Sequence, residues 1–346
     1  LGQSAAFTGP AAALGAEFRR GAVLYFDQVN AAGGVHGRSI FLLSLDDGYE
    51  PDRTLRNTKN LIDEDGVFAL FGFVGTPTSK AALPLATRAG VPFFAPYTGA
   101  ELLRSPFNRF VFNVRASYFQ ETAALVDYLV GRELSNVAVF YQDDSYGHAG
   151  LEGVIRALAR NGLSVGATGT VQRNTTDVAE AVERIASADP DAVVMISAYK
   201  SCGEFIRKAK EAGFDGPFLN VSFVGSKSLA MDLWLDARNV VVSQVVPFPA
   251  DESISVVKEY NDALRAAGQQ GVVSYGSLEG FIAAKAFVEG LRTAGRDLTR
   301  ETFLSALEGL GQLDLGGFAL EWGPDGHPGS KFVDVAVIGD RNRWLY

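Results

Sequence analysis

The sequence predicts an α/β fold with two Rossmann-like lobes, each built on a parallel central sheet, joined by a hinge of three chain segments. A chain of 346 residues exceeds the size at which one hydrophobic core keeps growing, so two domains are expected. Short runs of β-branched and aromatic residues alternate with amphipathic segments along the chain. This alternation is typical of βαβ units, which build parallel sheets.

The predicted elements follow this alternation in order. The opening residues LGQSAAFTGP resemble the end of a first strand entering its loop, so we expect a leader sequence before Leu1. The apolar runs predict strands at residues 40–45, 68–73, 91–95, 137–141, 192–197, 217–221 and 240–245. The amphipathic segments predict helices at residues 11–31, 51–65, 120–132, 148–161, 176–188, 202–212, 251–267 and 275–294. The closing segment predicts strands at residues 318–322, 333–339 and 343–346.

The lobe boundaries depend on which lobe contains the last two predicted helices, 251–267 and 275–294, and which contains the closing strands. The simplest chain path places these two helices in the first lobe and the closing strands in the second. It predicts a first lobe of residues 1–117 plus 250–321 and a second of residues 118–249 plus 322–346. The chain then crosses near Ser117, Val246 and Trp322, and three such crossings make a hinge.

Composition excludes several classes of function. The net charge is −9, with no stripe of lysine and arginine, so nucleic acid is not an expected partner. A single cysteine, Cys202, excludes an internal disulfide and a multi-thiolate metal site, and we expect it to be a small buried apolar residue. Glycine-rich motifs for dinucleotides or nucleoside triphosphates do not occur, which argues against enzymes that use these compounds.

The segment 70–98 carries the strongest indication of a binding site. An apolar run ends in glycines, after which Thr76 is predicted as an N-cap and Pro77 as the first helical residue. Thr78 and Ser79 then lie in the first turn, where free amides and the helix dipole favour an anion such as a carboxylate. The next apolar run, 91–95, is followed by residues 96–98, which are expected to form a second edge of the predicted binding site. The alternative interpretation is that these hydroxyls only cap a helix.

Five segments in this order carry a family resemblance: GQSAAFTGPAAALG, DQVNAAGGVHGRSIFLLSLDD, GTPTSKAALPLATRAGVPFFAPYTG, FYQDDSYGHAGLEG and NTTDVAEAVERIASADPDAVVM. With them the chain resembles the type I periplasmic solute-binding proteins of ABC importers, specifically the branched-chain amino acid-binding group. The resemblance covers nearly the whole chain. It implies a flytrap cleft between two lobes, no cofactor, and delivery of the ligand to a membrane permease.

The resemblance also implies roles for particular residues. In the family, a serine matching Ser79 and residues matching 96–99 hold the ligand carboxylate, and here Thr98 or the backbone of Gly99 takes the second role. Family members usually offer an acid to an α-ammonium group from the loop matching 222–225 or the turn matching Ser117, yet neither segment contains a carboxylate. A small carboxylate with a branched or aromatic body is therefore better supported than an α-amino acid specifically.

Aromatic residues recur where the predicted strands end, as expected for a ligand pocket with apolar walls. Each of them alone is at least as well explained by core packing. Together with the polar residues above they form the predicted binding set: Ser79, Thr78, Thr98, Tyr97, Gly99, Phe7, Tyr118, Phe119, Tyr146, Tyr199 and Phe223.

Competing chemistry is less well supported. Paired acids at 46–47 and 143–144 suit Mg²⁺ or acid–base catalysis, but we expect solvated side chains that cap turns, with one of Asp143 and Asp144 able to reach an ammonium group. The three histidines lack metal-ligand spacing. A triad of Ser145, His148 and Asp144 lacks the motif that accompanies such sites.

The sequence thus predicts a protein without catalytic or metal-binding residues that binds a small carboxylate or amino acid for an ABC importer. We expect a monomer in the periplasm or another extracytoplasmic location, with lipid anchoring as one form. The alternatives are a ligand-sensing regulator with the same fold and, less well supported, a hydrolase.

Overall fold

The computed structural model describes residues 1–338 and 344–345. Its strands are β1 Gly2–Ala5, β2 Leu43–Asp46, β3 Leu70–Phe71, β4 Phe93–Phe94, β5 Val111–Phe112, β6 Val137–Gln142, β7 Val165–Val171, β8 Ala192–Ile196, β9 Phe218–Asn220, β10 Val240–Gln244, β11 Gln312–Asp314, β12 Ala319–Gly323, β13 Gly326–Gly329, β14 Asp334–Ile338 and β15 Trp344–Leu345. Parts of the predicted closing strands, residues 339–343 and 346, lie outside the described residues.

The helices alternate with these strands. They are α1 Ala12–Ala31, α2 Pro51–Asp63, α3 Thr76–Arg88, α4 Tyr118–Val130, α5 Ser145–Arg160, α6 Ala179–Ala186, α7 Tyr199–Glu211, α8 Ser226–Leu233, α9 Ser255–Ala266, α10 Tyr275–Ala294 and α11 Arg300–Leu310. Short 3-10 turns cover Glu101–Leu103, Ser222–Val224, Trp234–Ala237 and Gln270–Val272. Among the described residues, no helix combines the length and the apolar character needed to cross a membrane.

The chain forms two compact units. Unit 1 comprises Leu1–Thr98, Leu102–Ala116 and Val246–Phe332, and unit 2 comprises Gly99–Glu101, Ser117–Val245 and Val333–Tyr346. The sheet of unit 1 has the order β2-β1-β3-β4-β5 and is parallel throughout. The sheet of unit 2 has the order β15-β14-β10-β9-β8-β6-β7, with β14 and β15 antiparallel. The predicted α/β class with parallel central sheets is confirmed.

The third crossing lies later than the predicted position near Trp322. Residues 322–332 belong to unit 1, where Trp322 is buried and its indole donates a hydrogen bond to the Asn113 carbonyl at 2.8 Å. The same ring packs edge-on against Phe94 at 5.5 Å and Phe112 at 5.6 Å between centroids. Because an aromatic side chain buried in this core stabilises unit 1, β12 stays with it.

Helices α1 and α10 form the tightest contact in unit 1, and glycines make it possible. A Cβ at Gly21 would lie 1.7 Å from the Ser277 carbonyl oxygen, and one at Gly280 would lie 2.0 Å from the Phe18 carbonyl oxygen. Any side chain at either position must therefore push the two backbones apart. The core that this pair covers includes Phe71 and Phe287, whose rings meet edge-on at 5.8 Å.

We expect Gly280→Ala to destabilise the protein by about 2 to 3 kcal/mol, because the added methyl group overpacks the contact of α1 with α10. Gly309→Ala is the matched control: it also replaces a helical glycine, but its Cβ would meet no atom within 4 Å. The control should be neutral or slightly stabilising, since alanine favours helices. Urea unfolding measures both variants, and equal stability of the two would contradict this packing.

Candidate functional site

The N-terminus of α3 in unit 1 begins one residue earlier than predicted. Thr76 is the first helical residue, so its prediction as the N-cap was wrong, and Gly75 holds that position. Gly75 has φ +100°, and a Cβ there would lie 2.2 Å from the Tyr49 ring. Only glycine satisfies both conditions. It turns the chain sharply from β3 into α3.

Ser79 occupies the first turn of this helix. Its side chain is fully buried, and its hydroxyl has no hydrogen-bond partner among residues 1–338 and 344–345. A buried hydroxyl without a partner costs about 1 to 3 kcal/mol. The positive end of the helix dipole also lies at this turn, although the Ser79 amide itself donates to the Gly75 carbonyl oxygen at 3.1 Å. These features together suit a bound anion.

The neighbouring hydroxyls have different roles. Thr78 donates its proton to backbone carbonyl oxygens of Val74 and Gly75, so it stabilises the turn and is not available as a ligand donor. Thr98 lies with its hydroxyl 2.7 Å from that of Thr76, which joins the loop after β4 to the start of α3. The structure thus places Thr98 and Ser79 at the same end of the unit 1 sheet.

Tyr97 is fixed by residues that the sequence did not indicate. Its ring meets Phe18 edge-on at 5.3 Å, and the Arg115 guanidinium lies 4.3 Å from its centroid. Arg115 makes two hydrogen bonds of 2.8 Å to the Glu279 carboxylate, and both partners are almost fully buried. A buried bidentate pair of this kind defines the position of the tyrosine ring. No local sequence pattern relates two residues 164 positions apart.

Phe7 lies in a groove along the outside of α1 and α9, with Arg19 and Ala263, in unit 1. The loop that carries it is held by Asp46, whose carboxylate accepts hydrogen bonds from the amides of Phe7 and Thr8 at 2.8 and 3.1 Å. We therefore leave Phe7 out of the proposed site.

Asp46 and Asp47, at the end of β2, have structural roles. Desolvation opposes the charge of Asp46, but hydrogen bonds from Thr8, Phe7, Gly48 and Arg53 outweigh it and hold the pKa of Asp46 well below its usual range. Asp47 is fully buried, so the prediction that both acids are solvated was wrong for it. Burial raises the pKa of Asp47, although its carboxylate accepts hydrogen bonds from Ser4 and Thr54.

Unit 2 places three of the predicted aromatic residues together. The rings of Tyr118 and Tyr146 are 5.4 Å apart, those of Tyr146 and Phe223 are 4.7 Å apart, and all three are fully buried. The Gly99 carbonyl accepts a hydrogen bond of 2.7 Å from the Tyr118 amide, which fixes the start of α4. Tyr199 is the first residue of α7 and is 8% exposed. Tyr118, Tyr146 and Phe223 thus form a buried aromatic row.

Phe119 lies on a different face from its neighbour Tyr118. The Arg156 guanidinium covers its ring at 4.5 Å, and both residues line a groove with Gly153 on α5. Successive residues of a helix point in directions about 100° apart, so the two aromatic side chains cannot share one surface. We leave Phe119 out of the proposed site.

Catalytic interpretations gain no support. Asp144 caps α5 by accepting from the Tyr146 amide and pairs with Arg173 at 3.0 Å, while the His148 ring lies 3.4 Å from Asp143. Asp144 and His148, two residues of the possible triad, thus serve other contacts. Cys202 is buried as expected, and burial raises the pKa of its thiol. In the described part of the chain, no group of three histidine, cysteine or acidic residues could hold a metal ion.

Sequence reasoning missed three polar residues of unit 2. Ser197 directly follows β8, and Ser222 lies two residues after the end of β9. Both hydroxyls are buried without a hydrogen-bond partner among the described residues. Glu121, in the first turn of α4, is also fully buried and accepts hydrogen bonds of 2.7 Å from the Ser222 amide and the Ser243 hydroxyl. For Ser197, a polar residue just after the fully apolar strand β8 was the available signal.

Comparisons with known proteins agree with this fold. A family model described as a periplasmic binding protein matches residues 1–341. The Leu/Ile/Val-binding protein homolog 7 of Brucella suis is 24% identical over 306 residues, which span 84% of this chain and 76% of that protein.

Solved structures extend the comparison over the whole chain. A possible leucine/isoleucine/valine-binding protein from Rhodopirellula baltica is 38% identical with a TM-score of 0.95, covering 100% of this chain and 95% of that one. A substrate-binding periplasmic protein from Ralstonia solanacearum is 30% identical with a TM-score of 0.93, and the match covers 99% of this chain and 98% of that one.

We expect Asp46→Asn to destabilise the protein by about 2 kcal/mol at pH 7, because it weakens the charge-assisted hydrogen bonds to the loop of Phe7. The folded-state pKa of Asp46 is lowered, so its contribution is present above the pKa of an unfolded aspartate, about 3.9, and is lost as pH falls through the folded value. The difference in unfolding free energy between the two proteins should therefore be constant from pH 7 to about 5 and should narrow as pH falls below about 4. Asp65→Asn, at an exposed position, is the control, and a pH-independent gap would contradict this role.

Proposed function

Because the chain belongs to the periplasmic binding protein family, in its type I branched-chain amino acid group, we propose that it binds a small carboxylate solute for uptake. Unit 1 would hold the carboxylate at the start of α3, and the aromatic row of unit 2 would contact the ligand body. The enclosure of one ligand between the two lobes stays a prediction.

The observation that carries this proposal is the buried hydroxyl of Ser79 in the first turn of α3, which finds no hydrogen-bond partner in the part of the chain that the structure describes. If these residues only capped a helix, the hydroxyl would bond to a backbone group, as that of Thr78 does. A carboxylate oxygen would satisfy the Ser79 hydroxyl and would also gain from the helix dipole. The interpretation as a simple cap therefore explains Thr78 but not Ser79.

The ligand class follows from the relatives and the aromatic row. The similar protein from Rhodopirellula baltica is described as a possible leucine/isoleucine/valine-binding protein. Leucine, isoleucine and valine each combine a carboxylate with a branched apolar body, which suits the surface of Tyr118, Tyr146 and Phe223. We propose these amino acids and related acids as the first ligands to test.

The cellular role follows the family. We propose that the protein acts outside the cytoplasm as a monomer and presents its ligand to the membrane permease of an ABC importer. It performs no catalysis in this role. A ligand sensor with the same fold would bind the same solute but pass the signal to a different partner.

We expect Ser79→Ala to weaken binding of L-leucine by about 1 to 3 kcal/mol, or roughly five- to 150-fold in Kd, since it removes a hydrogen bond to a charged group. Isothermal titration calorimetry measures this change. Ser187→Ala, which removes an exposed hydroxyl at the end of α6, is the control and should leave Kd unchanged.

Two outcomes would contradict the proposal. Unchanged affinity of the Ser79→Ala variant would reject Ser79 as a ligand contact. If the unmodified protein bound none of leucine, isoleucine, valine or their 2-oxo acids, the proposed ligand class would be wrong.

A further inference from the structure

Two large apolar side chains are exposed at the end of α8 in unit 2. Met231 is 65% exposed and Trp234 is 67% exposed, and they lie three positions apart in the chain. We call these two residues the exposed pair. Single exposed apolar residues are common on protein surfaces and need no explanation. Two so close together, one of them a tryptophan, are typical of an interaction surface.

The backbone at Trp234 has an unusual conformation. Its φ is +50° and its ψ is −107°, a combination that bulky residues seldom adopt. Here α8 ends and the 3-10 turn Trp234–Ala237 begins. Strained residues of this kind persist where the surrounding structure fixes them, and they are concentrated at functional sites. An exposed indole and a strained backbone thus occur at the same residue.

Charged side chains of α7 hold this segment in place. The Asp232 carboxylate pairs with Arg207 at 3.0 Å and also with Lys200. The Lys210 ammonium group donates hydrogen bonds of 2.6 and 3.0 Å to the carbonyl oxygens of the residues on either side of Ala237. These contacts fix the segment that carries the exposed pair before any partner binds, which lowers the entropy cost of binding.

Basic side chains outnumber acidic ones around the exposed pair. Residues 226–238 and the α7 side chains that contact them include the basic residues Lys200, Arg207, Lys210, Lys227 and Arg238 and the acidic residues Asp232 and Asp236. Glu204, which pairs with Arg207, adds a third acid. Lys227 lies on the same helical face as Met231, four positions before it. We call this whole region the basic surround.

The net charge of −9 does not cancel this local excess. Charges more than about 10 Å from a contacting surface are largely screened at 0.1 M salt. The basic surround therefore determines the electrostatic interaction of this face, and it complements a negatively charged surface.

We propose that the exposed pair and its basic surround contact a membrane surface that carries anionic lipid headgroups. Indole rings favour the headgroup level of a bilayer, and each lysine or arginine near an anionic surface strengthens binding about fivefold. A bilayer accommodates an exposed tryptophan without a preformed pocket, whereas a protein partner must supply one. This contact goes beyond the proposed ligand binding: it would keep the protein beside the bilayer that holds the permease.

Vesicle sedimentation tests the apolar part of the contact. The unmodified protein should bind vesicles of phosphatidylcholine that contain about 30% phosphatidylglycerol. The double variant Met231→Ser, Trp234→Ser should bind them about tenfold more weakly or worse, because it removes both apolar side chains from the bilayer. The matched control Val130→Ser, Ile155→Ser removes two exposed apolar side chains elsewhere in unit 2 and should bind like the unmodified protein. Thermal unfolding verifies that each variant is folded.

The charged part is tested by lipid composition and by a second pair of variants. Binding to pure phosphatidylcholine should be at least about tenfold weaker than to the anionic vesicles. Lys227→Gln, Arg238→Gln should lose about tenfold or more on the anionic vesicles. The control Arg132→Gln, Arg160→Gln changes the net charge equally at exposed positions and should lose less than about threefold.

Tryptophan fluorescence reports whether the indole enters the bilayer. The emission of Trp234, obtained as the difference between the unmodified protein and Trp234→Phe, should shift to the blue on the anionic vesicles. Brominated lipids in the same vesicles should quench it. An emission that neither shifts nor is quenched would contradict insertion of this residue.

Three results would overturn the membrane contact. They are absence of vesicle binding by the unmodified protein, equal binding by the exposed-pair variant and its control, and equal binding to the two lipid compositions. Self-association without lipid that the exposed-pair variant loses, measured by sedimentation velocity, would assign the pair to a second copy and also overturn it. Calorimetry with L-leucine should give the same Kd for the exposed-pair variant and the unmodified protein, so failure of the membrane contact leaves the proposed function intact.

Discussion

The sharp turn at Gly75 is the constraint on which the proposed site depends. With φ +100° and the Tyr49 ring close to its α-carbon, this residue turns the chain into α3 four residues after the end of β3. The first helical turn therefore brings the positive end of the helix dipole and the Ser79 hydroxyl to the edge of the sheet where ligands bind in open α/β folds. Thr78 closes the turn through backbone carbonyls, so Ser79 is left for another partner.

The two units offer chemically different surfaces. Unit 1 contributes hydroxyls and a helix N-terminus, which suit a negative charge, and it fixes Tyr97 with the buried pair of Arg115 and Glu279. Unit 2 contributes the aromatic row and the hydroxyls of Ser197 and Ser222, which have no hydrogen-bond partner among the described residues. The proposed ligand carries a carboxylate and an apolar body, which match the helix N-terminus of unit 1 and the aromatic row of unit 2.

Local sequence signals predicted features that depend on chain neighbours. The sequence Gly75-Thr76-Pro77 identified the start of α3 to within one residue. Apolar runs located the strands that precede the helices of Ser79, Tyr118 and Tyr146. Features that depend on tertiary pairing were not predictable. The partner of Arg115 is 164 residues away, and the side-chain directions of Phe7, in the loop after β1, and of Phe119, on α4, depend on how those segments pack. The third crossing likewise depends on the burial of Trp322.

The most direct test of the central claim is a crystal structure of the protein with L-leucine bound, or with whatever carboxylate it retains through purification. The account predicts a ligand carboxylate oxygen within about 3.2 Å of the Ser79 hydroxyl oxygen, at the first turn of α3. A carboxylate bound elsewhere, with the Ser79 hydroxyl bonded only to protein or water, would contradict it.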